Sequence, residues 1–215
     1  MINVLYEDNH IIVVEKKINI PICEDDSHDL DMLTMVKNYL KEKYNKPGNV
    51  YLGLVHRLDR PVGGIVVFAK TSKAASRLSE QVRKKYLKKK YYAVIIGNIE
   101  KEGVLKDCLL KDTKTNIVKV DPKGKESSLE YKVIAQKDDM SLIDINLITG
   151  RSHQIRVQFS SRNCPLYGDN KYNKNAKAGE QIALFAYQLT LIHPTTKEEM
   201  IFKLDKPNRY PFNIF

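Results

Sequence analysis

Between two apolar runs, Val50–Val55 and Ile65–Ala69, the chain carries the segment His56-Arg57-Leu58-Asp59-Arg60-Pro61-Val62-Gly63-Gly64. Four of its first five side chains are titratable, and it closes on a proline and two glycines. Proline removes a ladder donor and glycine weakens a strand, so the segment cannot simply extend either apolar run. The runs themselves are rich in β-branched residues and read as strands. The prediction is a polar loop held at both ends by buried strands, with an aspartate between two arginines. An opposite charge within ~4–6 Å favours an ionised carboxylate. Such a group can act as nucleophile or base. The same pattern also fits a surface ion pair on a turn.

The flanking sequence builds a fold around that loop. Ile2–Tyr6 and Ile11–Glu15 read as strands joined by a turn at Glu7–His10. Leu33, Val36 and Leu40 give a helix over 30–44 one apolar stripe. Ser72 is the expected N-cap of a second helix, whose inward residues are expected to be Ala75, Leu78 and Val82. Tyr91–Ile96 is a strand. Val104–Glu130 reads as a meander or protruding hairpin, with Asp121-Pro122-Lys123-Gly124 as a turn. Strands are expected at 130–135, 141–148, 182–190 and 199–203, and a short helix from Ser152 to Ser161 with Ile155 and Phe159 inward. The fold class is α+β: one compact domain with a large mixed, mostly antiparallel sheet flanked by helices and loops.

Charge narrows the function. The 215 residues carry 36 Lys plus Arg against 26 Asp plus Glu, a net of +10. A field of that sign favours polyanions. The cysteines, Cys23, Cys108 and Cys164, are three and far apart, which suits a reducing compartment rather than a disulfide framework. No paired histidine or cysteine spacing of a metal site is present, and no apolar run approaches the ~20 residues of a membrane span. A soluble, cytoplasmic protein without metal is expected.

Two further clusters suit a nucleic acid. Arg83, Lys84, Lys85, Lys88, Lys89 and Lys90 precede Tyr91-Tyr92. Cations beside aromatics serve RNA phosphates and base stacking, though a solvated helix end also looks like this. Thr149-Gly150-Arg151-Ser152-His153-Gln154-Ile155-Arg156 places His153 and Arg156 three apart, on one helical face, with Ser152 as the cap of an anion-binding helix start. A capped helix with a solvated basic face is the plainer account of the same residues.

These segments carry a resemblance. The run 56–71 (HRLDRPVGGIVVFAKT) resembles the catalytic-loop motif of the RluA-type family of RNA pseudouridine synthases. The run 89–97 (KKYYAVIIG) resembles the family's tyrosine motif, and 149–157 (TGRSHQIRV) with 164–172 (CPLYGDNKY) its arginine motif. The opening LYEDNHIIVVEK at 5–16 and the tail IHPTT at 192–196 also match, in the family's order.

The resemblance implies a pseudouridine synthase fold and the isomerisation of uridine in structured RNA, ribosomal or transfer, to pseudouridine. It implies no cofactor and no nucleotide. Asp59 is then the catalytic carboxylate, Tyr91 the residue packing on the target uracil, and Arg156 the arginine paired with that carboxylate. His56, Arg57, Arg60, Arg83, Lys84, Lys88, Lys89, Arg151 and His153 are expected to contact RNA. The expected arrangement is one catalytic domain over 1–215, without the N-terminal S4 domain of many relatives, acting as a monomer. Two departures stand out: Glu15-Lys16-Lys17-Ile18-Asn19 replaces the usual Asn-Lys-Pro-x-Gly, and Leu184-Phe185-Ala186 replaces a common Leu-His-Ala. The alternative is a non-catalytic RNA-binding protein of the same fold. A glycoside or nucleoside hydrolase would need a second carboxylate, which none of the matched motifs supplies. A membrane-surface protein would need a broader apolar helix face.

Overall fold

The computed structural model describes residues 2–215. Its elements run β1 (Asn3–Glu7), β2 (Ile11–Lys16), α1 (Met32–Lys43), β3 (Gly53–Leu54), β4 (Gly63–Ala69), α2 (Ser72–Arg83) and β5 (Lys88–Ile96). There follow β6 (Glu102–Asp112), β7 (Ile117–Val120), β8 (Lys125–Lys137), β9 (Met140–Leu147), α3 (Gln154–Ser160), β10 (Leu184–Ile192) and β11 (Glu199–Lys203). The class is α+β, as the sequence predicts. Contacts divide the chain into two compact units. The first takes the residues up to Lys88 with Gln188–Leu204, and the second takes Lys89–Tyr187 with Asp205–Phe215.

In the first unit β2 pairs antiparallel with β1 on one side and β4 on the other, placing Ile11 opposite Ala69 and Lys16 opposite Gly64. Ile11, Ile12, Val13 and Val14 are all fully buried, so both faces of β2 are covered. That explains an unbroken apolar run where a half-exposed strand would alternate. One core joins Ile11 and Val13 to Ile65, Val67 and Ala69 of β4, Ala74 and Leu78 of α2, and Leu189 and Leu191 of β10.

The helices differ from expectation in phase. Thr71, not Ser72, caps α2, its hydroxyl accepting from the Ala74 N–H at 3.1 Å. The buried face is Ala74, Leu78 and Gln81, while Val82 is exposed. Gln81 turns inward because its amide donates to the Ile192 carbonyl and accepts from the Ile192 N–H, at 2.6 and 2.9 Å. A satisfied polar group is tolerated inside where the apolar stripe alone would have chosen Val82. In α1, Asp31 caps and Met32, Val36 and Leu40 are buried; Leu33 is only partly so. The expected strand over 50–55 shrinks to Gly53–Leu54.

The second unit is an antiparallel meander in the order β5, β9, β8, β6, β7. The 121–124 turn forms as expected, with the Gly124 N–H donating to the Asp121 carbonyl at 2.8 Å. A Cβ at Gly124 would lie 2.3 Å from the Leu109 carbonyl carbon, so only glycine lets β6 pass that close. Lys88, Lys89 and Lys90 belong to β5 rather than to a helix end.

The end of β1 is tied to α1 by one carboxylate. Glu7 accepts from Lys43 at 2.7 Å, Lys70 at 2.8 Å, Tyr44 at 2.7 Å and Tyr39 at 3.2 Å. Burial would raise its pKa, but the bonds from Lys43, Lys70 and Tyr44 win and hold it at about 2. A lowered carboxylate pKa stabilises the fold above the unfolded value and loses that contribution as pH falls through the folded one. Glu7→Gln should therefore cost about 2 kcal/mol at neutral pH. In urea titrations across pH, its deficit against wild type should vanish between pH 4.5 and about 2. A deficit independent of pH would reject the ionic account.

Candidate active site

The Asp59 loop leaves β3 and ends where β4 begins. Leu58 and Val62 are buried and anchor it, and the Val62 N–H donates to the Asp59 carbonyl at 2.9 Å. Beneath it lies Lys16, the last residue of β2 and fully buried. Its ammonium donates to the carbonyls of Val62 at 2.7 Å, Arg60 at 2.9 Å and Lys17 at 3.1 Å. Three donors meet three acceptors, the full capacity of an ammonium. Burial drives the Lys16 pKa down, the Asp59 charge opposes the fall and Arg60 adds to it, leaving it at about 7. The loop that carries the aspartate is thus gripped through its backbone by a cation whose charge couples to that aspartate.

The flanking residues divide. Arg57 is exposed. Arg60 does not serve its neighbour alone: its guanidinium donates to Ser27 at 2.6 Å and pairs with Asp29 and, at 3.4 Å, with Asp25. His56 is buried, its Nε2 accepting from the Val67 N–H at 3.3 Å. Arg83 and Lys84 are exposed at the end of α2 and both approach Glu80, at 3.6 and 2.9 Å. Lys88 is exposed. The altered Glu15–Asn19 stretch keeps its lysine at the clamp. Asn19 has φ of 62°, a left-handed conformation that asparagine tolerates where the usual pattern has glycine.

In the second unit Tyr91 is buried on β5, opposite Ile145 of β9. Arg156 is buried on α3 and forms a two-point pair with Asp169, Nε to Oδ2 at 2.9 Å and Nη2 to Oδ1 at 2.7 Å. Paired forks of this kind fix a guanidinium in direction as well as place. Its Cζ lies 5.2 Å from the centre of the Tyr172 ring. The Tyr172 hydroxyl accepts from the Val118 N–H at 2.9 Å and meets His153 Nδ1 at 2.6 Å. His153 and Arg156 therefore do share a neighbour, the Tyr172 ring.

The start of α3 departs from expectation. Ser152 does not cap it; His153 holds the cap position at φ 50° with no side-chain cap bond. Gln154 orders this corner instead. Its carbonyl accepts from the Arg151 N–H and the Thr149 hydroxyl, and its amide donates to Gln158 and the Ser128 carbonyl. Arg151 donates through Nε to the Glu126 carbonyl at 3.0 Å. Phe185, in place of the common histidine, is buried on β10. Sequence reasoning missed Lys16, Asp169, Tyr172 and Gln154 as supporting residues, although all four lie inside segments it singled out.

The first unit thus carries a carboxylate on a loop clamped by a buried lysine, and the second a buried, fork-paired arginine. Similarity to known proteins shows the family. The model of the RNA pseudouridylate synthase family matches residues 10–161, and the chain belongs to that family. It is 34% identical over 211 residues to ribosomal large subunit pseudouridine synthase C of Buchnera aphidicola, covering 92% of this chain and 65% of that protein. It is 31% identical over 223 residues to ribosomal large subunit pseudouridine synthase D of Vibrio cholerae, covering 96% and 68%. The chain thus spans about two thirds of the length of these relatives. The solved structure of human RNA pseudouridylate synthase domain containing 4 shares the fold, with a TM-score of 0.80 at 21% identity over 95% of this chain and 88% of that one. Among the described residues, no helix is long and apolar enough to cross a membrane.

Lys16→Met should leave the buried Val62 carbonyl without its donor, at about 1–3 kcal/mol, and the partly buried Arg60 carbonyl should lose its donor as well. The pH dependence gives a second readout. A lysine lowered from 10.5 to about 7 binds fewer protons folded than unfolded in that window, so its contribution makes stability rise with pH there. Urea unfolding midpoints between pH 7 and 10 should show a flatter rise for Lys16→Met than for wild type.

Proposed function

We propose that this chain isomerises uridine in RNA to pseudouridine and that Asp59 is its catalytic carboxylate. The observation that carries the reading is the grip of buried Lys16 on the backbone of the Asp59 loop. A chain serving only to bind RNA has no need of a buried ammonium beneath a carboxylate loop, since burying it is costly. Family membership and the ordered motifs support the same reading.

In this reaction the C1′–N1 bond breaks, the uracil turns over, and C1′–C5 forms. The proton on C5 leaves to solvent and N1 takes up a proton, so no redox partner is required. The target must leave its stack, which costs a few kcal/mol and least in loops. The net charge of +10 supplies affinity for phosphates along the strand. We assign Tyr91 to packing on the uracil and, as the family resemblance implies, Arg156 to pairing with the catalytic carboxylate. Asp169 holds the Arg156 guanidinium in one orientation, and Lys16 holds the loop. Arg57, exposed on that loop, is suited to the space left by the extruded base.

Large-subunit ribosomal RNA is our proposed substrate, with the chain acting as a cytoplasmic monomer without a nucleotide cofactor; the names of the relatives above support the choice of RNA. The test is tritium release from RNA labelled at uracil C5, with ribosomal and transfer pools kept separate. Wild type should release tritium from the large-subunit pool. Asp59→Asn should release at least about a thousandfold less, as expected when an essential catalytic group is lost, while binding the RNA with unchanged salt dependence. Release undiminished in Asp59→Asn would overturn the assignment. Asp169→Asn should lower kcat more than it raises KM, because it frees the Arg156 guanidinium from its fixed orientation.

A further inference from the structure

One cation near Tyr91 has no counter-charge. Lys89 opens the second unit, and along β5 it lies on the same sheet face as Tyr91, two residues further on. It is half-buried, opposite Leu147 in the β5–β9 register and beside the turn at Thr149 to Arg151. A Cβ at Gly150 would lie 3.1 Å from the Lys89 ammonium nitrogen. The ammonium therefore rests against a stretch of backbone that carries no side chain.

The neighbouring cations are neutralised and Lys89 is not. Lys90, on the opposite face, pairs with Asp144 at 3.3 Å, and Arg156 pairs with Asp169 at 2.7 Å. Among the described residues Lys89 has no carboxylate in ion-pair range, and Arg151, on the other side of Gly150, spends its Nε on a carbonyl. Burial pushes the Lys89 pKa below the usual lysine value, with nothing to offset it. A partly desolvated cation without an anion is unfavourable. A ligand that brings the anion accounts for it. Uracil is neutral, so the base itself cannot fill that place; the strand that carries it can. Two residues of strand span about 6.6 Å, the scale of one nucleotide.

We propose that the Lys89 ammonium, given room by Gly150, binds a backbone phosphate of the RNA beside the uridine that Tyr91 contacts. Lys89 is then a positioning residue: it sets the register of the strand so that one nucleotide, and not its neighbour, reaches Tyr91. The inference rests on the proposed activity and adds a defined phosphate subsite to it. Arg151 lends a second positive charge on the far side of Gly150.

Lys89→Met and Lys89→Arg test this on a large-subunit ribosomal RNA transcript labelled with tritium at uracil C5, with oligouridylate as a binding probe. For Lys89→Met, KM should rise about tenfold, and the slope of log(kcat/KM) against log[salt] should become shallower by about 0.7–0.9, the effect of losing one phosphate contact. Its thermal unfolding midpoint should equal or exceed that of wild type, because an unpaired cation has been removed. Lys89→Arg should restore most of KM and the salt slope. A wild-type KM and salt slope in Lys89→Met would overturn the proposal. So would a lowered unfolding midpoint with an unchanged slope, which would make Lys89 a structural residue. Wild type that releases no tritium from any RNA would count against the proposed reaction instead. In that case the salt slope of oligouridylate binding still decides whether Lys89 holds a phosphate.

Discussion

The ammonium of Lys16, buried at the end of β2 and bonded to three carbonyls, is the interaction on which the first unit's functional loop depends. A loop of eight residues between short β3 and long β4 has few ladder bonds of its own. Without an internal partner, the Val62 carbonyl would be a buried acceptor left unmet, and the partly buried Arg60 carbonyl would lose its donor. The lysine supplies them, and its charge faces Asp59 through the same loop. Structural support and electrostatic support are therefore one group. That union explains why a charged residue ends a strand whose preceding residues are almost wholly apolar.

The second unit solves the same problem differently. Arg156 sits on α3, whose residues 154–159 are all buried. Polar groups in such a place must be satisfied, and they are satisfied in two groups. Asp169 takes Arg156, Tyr172 lies against the guanidinium and reaches His153 and Val118, and Gln158 donates to Asp107 at 2.7 Å. Connected networks of this kind rigidify a site when every member is paired. In the first unit one cation holds a loop. In the second a series of side chains holds a cation.

Strand β4 and the 121–124 turn were legible from the sequence because they follow from local rules, whereas the motif residues stood out only through resemblance to a family, and the strand expected over 50–55 shrinks to Gly53–Leu54. Apolar runs make strands and Asp121 to Gly124 makes a turn, although β4 takes in Gly63 and Gly64, which the sequence assigned to the loop. What was illegible depended on partners distant in the chain. Gln81 displaces Val82 from the buried face of α2 only because the Ile192 backbone offers it a donor and an acceptor. Thr71 caps α2 in place of Ser72, a shift of one residue that periodicity cannot resolve. The two arginines beside Asp59 looked like its natural partners, yet Arg60 is drawn off to Asp25 and Asp29, while a lysine 43 positions earlier couples to Asp59. A buried lysine carries no pattern that marks it, since lysine is the residue expected outside.

The brevity of α3 has a consequence for how the protein comes to exist. A helix of seven residues is far below the length at which a helix holds together in water. It forms only against partners brought from elsewhere, and the bonds from Gln158 and Arg162 to Asp107 close loops of 51 and 55 residues. Contacts that distant are slow to form because loop closure must precede the gain. The helix that bears Arg156 therefore owes its existence to the β6–β8 meander rather than to its own sequence. Its partners lie on both sides of it in the chain, Asp107 before and Asp169 and Tyr172 after, so no stretch that ends at α3 contains everything that holds Arg156 in place.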